Sequence, residues 1–220
     1  MTLVVLRRLA CTGARSRGRD ARTFFTLPTL GGLSLQKQYR DSLAFPFSRE
    51  QVFQVVSDVD RYCEFVPMCV GSKVLQDSLR TDHVLSMNPE THRAESISRR
   101  CVQAELVVGY PPFNERYTSS VELDHPWRIV ATATPGGAMF KHMKTVWEFI
   151  ERTPKQGEAP VSPFILSTSS APALSTLVSF SIEFEFASLV HAHTASLVFD
   201  KMAKRNLAAY LDRCQQLYGK

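Results

Sequence analysis

The strongest constraint on the fold of this chain is residues 178–186, where apolar and polar side chains alternate strictly. Serine or glutamate fills every second position, and the apolar positions are Val178, Phe180, Ile182, Phe184 and Phe186. Successive side chains of a strand point to opposite faces, so this pattern predicts a strand with one apolar face and one solvated face.

An amphipathic helix is predicted to follow this strand, from near His191 almost to the end of the chain. At about 100° per residue, one broad arc of the helix is apolar and the opposite arc is polar or charged. The apolar arc holds Ala195, Val198, Phe199, Met202, Ala203, Leu207, Tyr210, Cys214 and Leu217. We expect the helix to pack on an antiparallel sheet and to enclose either an ordinary core or a lipid-sized apolar cavity, which periodicity does not distinguish.

Basic residues are concentrated at the start of the chain. Residues 1–34 contain six arginines, no lysine and one acidic residue, whereas the rest carries 20 basic and 20 acidic residues. An Arg-rich, acid-poor segment with scattered Ser and Thr is typical of a mitochondrial transit peptide. We therefore expect a leader over residues 1–34 and one domain over residues 35–220, whose neutral balance offers no general electrostatic basis for binding nucleic acid.

Between leader and final strand, the pattern predicts one strand, two short helices and a run of antiparallel strands. Ser48 and Gln51 have the spacing of a capping box, which predicts a helix over residues 49–58. A second short helix over residues 59–66 ends at Pro67. Strands are predicted at residues 35–47, 70–76, 101–108, 114–123, 128–134 and 142–151.

Two segments interrupt this order and are predicted to be loop insertions. Residues 77–100 are polar and contain Asn88-Pro89, and residues 153–176 are rich in Pro, Ser, Thr and Ala. Such composition without clear periodicity is typical of loops.

Signatures of catalysis and of metal binding are weak. Five scattered cysteines give no disulfide framework, and neither Cys63 with Cys69 nor His191 with His193 has the spacing of a zinc site. The sequence contains no Gly-x-Ser-x-Gly elbow and no phosphate-binding glycine loop. We therefore expect a protein that is not an enzyme and has no cofactor and no metal.

Three blocks of residues carry a resemblance to a known family. They are Asp60-Arg61-Tyr62-x-Glu64-Phe65-Val66-Pro67-x-Cys69, the block from Ala104 to Ser119 that contains Gly109-Tyr110-Pro111-Pro112-Phe113, and Phe184-Glu185-Phe186 with Leu217-Tyr218-Gly219. In these blocks the chain resembles the mitochondrial coenzyme Q-binding proteins of the START-like, polyketide cyclase-related superfamily. The resemblance extends from about residue 39 to residue 219, and Met68 stands where the family has Trp.

The resemblance implies an α+β helix-grip fold, in which a curved antiparallel sheet is closed by a long C-terminal helix around an apolar cavity. It implies ubiquinone (coenzyme Q) as the bound ligand, and a peripheral location on the matrix side of the mitochondrial inner membrane. The implied role is delivery of ubiquinone to the respiratory chain and support of its biosynthesis. Respiratory complexes or the biosynthetic enzymes are the expected partners, together with the membrane surface.

Bulky apolar residues of the predicted strands and helix are the candidate walls of the cavity. They are Phe65, Leu106, Val108, Phe113, Tyr117, Phe140, Trp147, Phe180, Phe184, Val198, Phe199 and Met202. A polyprenyl tail gains about 0.8 kcal/mol per buried methylene, so its site must be continuous and nearly free of unpaired polar groups. Each of these residues suits ordinary core packing equally well.

The segment Tyr110, Pro111, Pro112 and Phe113 combines two aromatic residues with a stiff diproline between two strands. It is a candidate for a loop that dips into the membrane interface or gates the cavity, because Tyr anchors well at that interface. A rigid hairpin connection that packs its own aromatic rings is the alternative.

Two alternative functions stay open. The first is a cyclase-like enzyme that acts on a quinone or polyketide-like precursor, with dispersed residues such as Glu105, Tyr117 and His142. The second is a ribosome-associating module, against which the neutral charge of residues 35–220 argues, because binding RNA phosphates needs a basic surface.

Overall fold

The part of the chain that the structure describes contains one antiparallel sheet of seven strands. The computed structural model describes residues 35–110, 113–136, 140–152, 175–188 and 205–219. The strands are β1 (Gln36–Phe45), β2 (Cys69–Met87), β3 (Ala94–Tyr110), β4 (Phe113–Asp124), β5 (Arg128–Ala133), β6 (Phe140–Arg152) and β7 (Ser175–Phe186). Their order in the sheet is β1-β7-β6-β5-β4-β3-β2, so the first and last strands of the chain are neighbours. The expected leader, and residues 153–174 of the second expected loop, lie outside the described residues.

Helices precede and follow the main run of strands. α1 (Arg49–Ser57) and α2 (Tyr62–Phe65) lie between β1 and β2, joined by a 3₁₀ turn, and residues 205–218 are helical at the end of the chain. The predicted capping box is confirmed, because the Ser48 hydroxyl accepts the Gln51 N–H at 3.3 Å and the Gln51 side chain accepts the Ser48 N–H at 3.0 Å. The predicted beginning of the last helix, near His191, lies outside the described residues.

The alternation that predicted β7 is confirmed. Val178, Phe180, Phe184 and Phe186 are each at most 4% exposed, while Glu183 between them is exposed. β7 pairs with β1 on one side and with β6 on the other, so its backbone is hydrogen-bonded along both edges. A strand in this position fixes which face of the sheet is apolar.

The predicted loop over residues 77–100 is wrong. β2 continues to Met87 and β3 begins at Ala94, so the two strands form one long hairpin. Only the tip is a turn, where the Asn88 side chain accepts the backbone N–H of Glu90 at 2.9 Å. Strands with no buried apolar face show no clear alternation in the sequence, and here Leu85 and Met87 are 74% and 55% exposed. This part is stabilised by the pairing of the two strands, which composition does not reveal.

A buried ion pair attaches the far half of this hairpin to the end of β4. The Arg99 guanidinium donates to both carboxylate oxygens of Asp124, at 2.6 and 2.8 Å, and the Ser86 hydroxyl donates to the same carboxylate at 2.6 Å. The Asp124 side chain is 2% exposed and that of Arg99 is 20% exposed. Burial acts to raise the pKa of Asp124, but the hydrogen bonds from Arg99 and Ser86 and the charges of Arg99 and Arg128 outweigh it, so the pKa is lowered.

The tip of the hairpin contacts α1 and β6. The Glu90 carboxylate accepts from the Arg49 guanidinium at 2.7 Å and from the backbone N–H of Glu151 at 2.8 Å. Arg49 also lies 3.8 Å from the Glu151 carboxylate. The hairpin is thus joined to the helix and to a strand that is not its neighbour in the sheet.

The described part of the last helix packs on the core face of the sheet. Leu207, Tyr210 and Cys214 are each at most 2% exposed and belong to the main apolar cluster, as their place on the predicted apolar arc indicated. Leu217 was predicted on the same arc and is 47% exposed, so that assignment is wrong. In this last turn Tyr218 makes the contact instead, with its ring 6.3 Å from Phe47.

Replacing Asp124 by Asn should destabilise the fold by about 2 kcal/mol, because Arg99 loses its two hydrogen bonds to a buried carboxylate and keeps only Glu122, at 2.8 Å, as a charged partner. Chemical denaturation followed by circular dichroism measures the difference. Asp82→Asn is the matched control, since the Asp82 side chain is 45% exposed in its pair with Arg80, and we expect it to change stability little. Equal effects of the two substitutions would contradict the anchoring role of Asp124.

The same ion pair predicts a dependence of stability on pH. Because the pKa of Asp124 is lowered in the folded state, its stabilising effect is present above the ordinary aspartate pKa of about 4 and is lost as the pH falls through the lowered value. The free energy of unfolding of Asp124→Asn should therefore fall less steeply in this acidic range than that of the unsubstituted protein. Parallel pH profiles would contradict the linkage.

Candidate ligand-binding face

The two faces of the sheet differ in chemistry. We define the inner face as the side that carries Leu106, Tyr117, Trp147, Phe180 and Phe184, since strand pairing sets Leu106 opposite Tyr117 and Trp147 opposite Phe180. The outer face carries charged and polar side chains. Lys141 Nζ lies 3.3 Å from Glu185 Oε1, and Arg116 Nη1 lies 2.8 Å from Glu105 Oε1. His142 Nε2 lies 3.6 Å from Glu183 Oε1. His142 and Arg116 therefore lie on the face opposite to Trp147 and Phe180.

The main cluster of the inner face joins the sheet to the last helix. The ring of Trp147 lies 4.4 Å from that of Phe180 and 4.7 Å from that of Tyr210, measured between centroids. Phe65 of α2 packs edge-on against Tyr210 at 5.1 Å, and Leu106 packs against the same cluster. Four elements, α2, β6, β7 and the last helix, therefore share one set of aromatic contacts.

A second cluster lies farther along the same face. Its buried members are Met143, Phe184 and Phe186. The ring of Phe140 lies 5.5 Å from Phe184 and 5.6 Å from Phe186, and Tyr117 meets Phe140 edge-on at 6.0 Å. Ile182 packs against both clusters, so the apolar surface continues from one cluster to the other.

The structure places eight of the predicted wall residues and brings seven of them into these clusters. Phe65, Leu106, Trp147 and Phe180 belong to the main cluster, and Tyr117, Phe140 and Phe184 to the second. Val108 is half-buried and lies opposite Glu115 across the strand pair, outside both clusters. The remaining predicted residues fall outside the described side chains: Tyr110, Pro111, Pro112, Phe113, Val198, Phe199 and Met202.

Three phenols face the interior of this site. Burial raises the pKa of Tyr62, Tyr117 and Tyr210 above the ordinary tyrosine value, so all three stay protonated at neutral pH. Tyr62 donates to the backbone carbonyl of Val56. A hydrogen bond between the Tyr62 and Tyr210 phenols lowers the pKa of Tyr62 and raises that of Tyr210, as expected if Tyr210 is the donor.

Sequence reasoning missed two of these phenols as site residues. Tyr210 was placed on the apolar arc of the helix but was not named among the walls, although its ring contacts Trp147. Tyr62 lies in the first block of the family resemblance and touches Tyr210, with ring centroids 5.5 Å apart. The sequence signal available for Tyr210 was its place, as an aromatic residue, on the predicted apolar arc of the last helix. No apolar periodicity in the sequence pointed to Tyr62.

The end of β3, next to its turn into β4, is held against the start of β2. The Gly109 N–H donates to the Met68 carbonyl at 2.9 Å, and a Cβ atom on Gly109 would lie 2.7 Å from Val70 Cγ1. A larger residue at position 109 would therefore have to displace the Val70 side chain, which is 58% exposed. Met68, at the position where the family resemblance calls for Trp, has a φ of 63°. Residues 111–112, which connect the two strands, lie outside the described residues, and the gate stays a prediction.

Within the described ranges, no three His, Cys, Asp or Glu side chains converge as a metal site would require. None of the described helices combines the length and the apolar character needed to span a bilayer.

Comparisons with known proteins agree with this arrangement. Residues 45–210 match the family described as polyketide cyclase/dehydrase and lipid transport. The chain is 34% identical over 203 residues to the mitochondrial coenzyme Q-binding protein COQ10 homolog B of Xenopus laevis, which covers 91% of this chain and 67% of that protein. It is 27% identical over 183 residues to the ribosome association toxin RatA of Vibrio cholerae, covering 83% of this chain and 99% of the toxin.

Solved structures show the same fold. The crystal structure of the Zhui aromatase/cyclase of a Streptomyces species has a TM-score of 0.55 at 13% identity, with 82% of this chain and 94% of that chain covered. This likeness confirms the expected α+β, START-like architecture and speaks to the fold alone. On the family match and the 34% identity together, the chain belongs to the polyketide cyclase/dehydrase and lipid transport family, as a relative of the mitochondrial coenzyme Q-binding proteins.

Proposed function

We propose that this protein binds ubiquinone on the inner face of its sheet and carries it between the mitochondrial inner membrane and the proteins that use or make it. The observation that supports this most directly is the continuous apolar surface from the main cluster, through Ile182, to the second cluster. A prenylated quinone is mostly hydrocarbon, and a protein that removes it from a bilayer must offer an equally apolar surface.

The side chains along this surface suit a flexible ligand. The second cluster combines aromatic rings with Met143, whose unbranched side chain adapts to irregular shapes. Rings of Phe140 and Phe184, 5.5 Å apart and tilted by 68°, present both edges and faces. The charged groups of β6 and β7 described above lie on the opposite face, so they do not oppose a hydrocarbon tail.

Relatives support ubiquinone over the alternatives. Both the Xenopus relative and a Drosophila melanogaster relative, which is 26% identical over 220 residues, are named as coenzyme Q-binding proteins. The cyclase shares the fold at low identity, which carries no substrate with it. For a ribosomal role, the balance of 20 basic and 20 acidic residues from residue 35 onward offers no excess of positive charge for RNA.

The proposed location is the matrix side of the inner membrane. The arginine-rich composition of residues 1–34 supports import into mitochondria, as do the names of the coenzyme Q-binding relatives. Peripheral docking followed by transfer of the prenyl tail onto the inner face is the mechanism we propose, with respiratory complexes or ubiquinone-synthesising enzymes receiving or supplying the ligand.

The full chain, purified without detergent from a host that makes ubiquinone, should carry that lipid in a near-stoichiometric amount. Solvent extraction and mass spectrometry measure this, with a mock purification to set the background. The quinone should be recovered with its mass unchanged, because the proposed role includes no turnover. A folded protein that stays empty after incubation with ubiquinone vesicles would contradict the proposal, and a chemically altered quinone would favour the enzyme.

Placing a carboxylate in the second cluster should remove the bound lipid. Phe184→Asp introduces a charge at a position that is 4% exposed, where an apolar ligand would have to contact it. Ser181→Asp introduces the same carboxylate on the outer face of the same strand, since residues of opposite parity face opposite sides. Circular dichroism establishes that both variants are folded, and equal retention of ubiquinone by the two folded variants would contradict the inner-face assignment.

The proposed carrier should also speed the movement of ubiquinone between membranes. Adding the full chain to donor vesicles that contain ubiquinone and acceptor vesicles that lack it should increase the transfer rate in proportion to protein concentration. Ser181→Asp should preserve this effect and Phe184→Asp should lose it. Stable ubiquinone binding without faster transfer between vesicles would contradict the delivery role and favour a storage role.

A further inference from the structure

The phenol of Tyr117 occupies a distinctive place on the inner face. Tyr117 lies on β4 opposite Leu106 of β3, and its ring meets Phe140 at 6.0 Å. Leu106 packs against the main cluster and Phe140 against the second. Tyr117 therefore stands where the two apolar clusters approach each other, with its side chain half-buried.

The three phenols of this interior differ in how their hydroxyl groups are used. Tyr62 donates to the Val56 carbonyl, and Tyr210 is hydrogen-bonded to Tyr62. The Tyr117 hydroxyl makes no hydrogen bond with any residue in the described part of the chain, although burial raises its pKa and keeps it protonated. The Tyr117 side chain is half-buried and its hydroxyl is still reached by solvent, so the hydroxyl is available to donate to an acceptor that a ligand supplies.

The chemistry of a quinone matches this donor. A ubiquinone ring carries two carbonyl and two methoxy oxygens, all of them acceptors, and it has no N–H or O–H group. A site that positions the ring, and not only the tail, must therefore provide a donor from the protein. Tyr62 and Tyr210 already direct their hydroxyl groups to protein acceptors.

We infer that Tyr117 donates a hydrogen bond to a carbonyl oxygen of the bound quinone and so places the ring at the junction of the two clusters. This inference rests on the proposed function and adds to it the residue that recognises the head group. A plain prenyl hydrocarbon would bind to the apolar face without using this contact, so Tyr117 distinguishes a quinone from other polyprenyl lipids.

Tyr117→Phe tests the inference, because it removes the hydroxyl group and keeps the ring that packs on Phe140. Tyr218→Phe is the matched control, since the Tyr218 hydroxyl donates to Gln54 at 3.1 Å and lies at the far end of the last helix. Both variants and the unsubstituted full chain are titrated with a short-tail ubiquinone. We expect Tyr117→Phe to bind about tenfold more weakly and Tyr218→Phe to bind as the unsubstituted chain does.

Infrared spectra of the quinone-saturated proteins measure the stretching frequencies of the quinone carbonyls. These frequencies would not change if Tyr117 only supported the fold. Donation by Tyr117 should lower the stretching frequency of one quinone carbonyl, and that shift should disappear in Tyr117→Phe and persist in Tyr218→Phe. Tight quinone binding with identical affinities and identical carbonyl frequencies in all three proteins would overturn the role of Tyr117 and leave the proposed function standing. Failure of the unsubstituted chain to bind the quinone would instead overturn the proposed function, and this inference with it.

Discussion

The contact of Trp147 with Phe180 and Tyr210 holds the inner face together. Because these two neighbours belong to β7 and to the last helix, one indole ring joins three parts of the chain that are far apart in sequence. Burying large aromatic side chains is among the strongest contributions to stability that a small domain has. The proposed ligand-binding surface on the inner face depends on this contact, because the contact sets the position of the last helix over the sheet.

Polar interactions are placed where they do not interrupt this surface. The Arg99–Asp124 pair and the contacts of Glu90 with Arg49 and Glu151 hold the long β2–β3 hairpin at one end of the sheet. The Lys141–Glu185 ion pair and the contact of His142 with Glu183 lie on the outer face. The inner face thus keeps its apolar character while the ends and the outer face provide charge and solubility. The Tyr117 hydroxyl is a polar group within the inner face, which is why its chemistry matters for recognition.

Local patterns predicted the parts of the fold that short-range physics determines. The alternation of β7 and the Ser48 cap follow from side-chain period and from hydrogen bonds within three residues, and both are confirmed. The extended hairpin over residues 77–100 was not predictable in this way, because pairs such as Val84 with Ile97 form only when the strands meet. The convergence of Tyr62 and Tyr210 likewise depends on tertiary packing, so the sequence indicated apolar walls but not the arrangement of phenols between them.

The central claim is that the inner face of the sheet is the surface that contacts the quinone. Nuclear Overhauser contacts between the ring methyl and methoxy protons of a bound ubiquinone and the protein side chains test it most directly. The account predicts contacts with Tyr117, Phe140 and Phe184. Contacts confined to outer-face residues such as His142 or Thr118, in a complex whose affinity is otherwise tight, would contradict it.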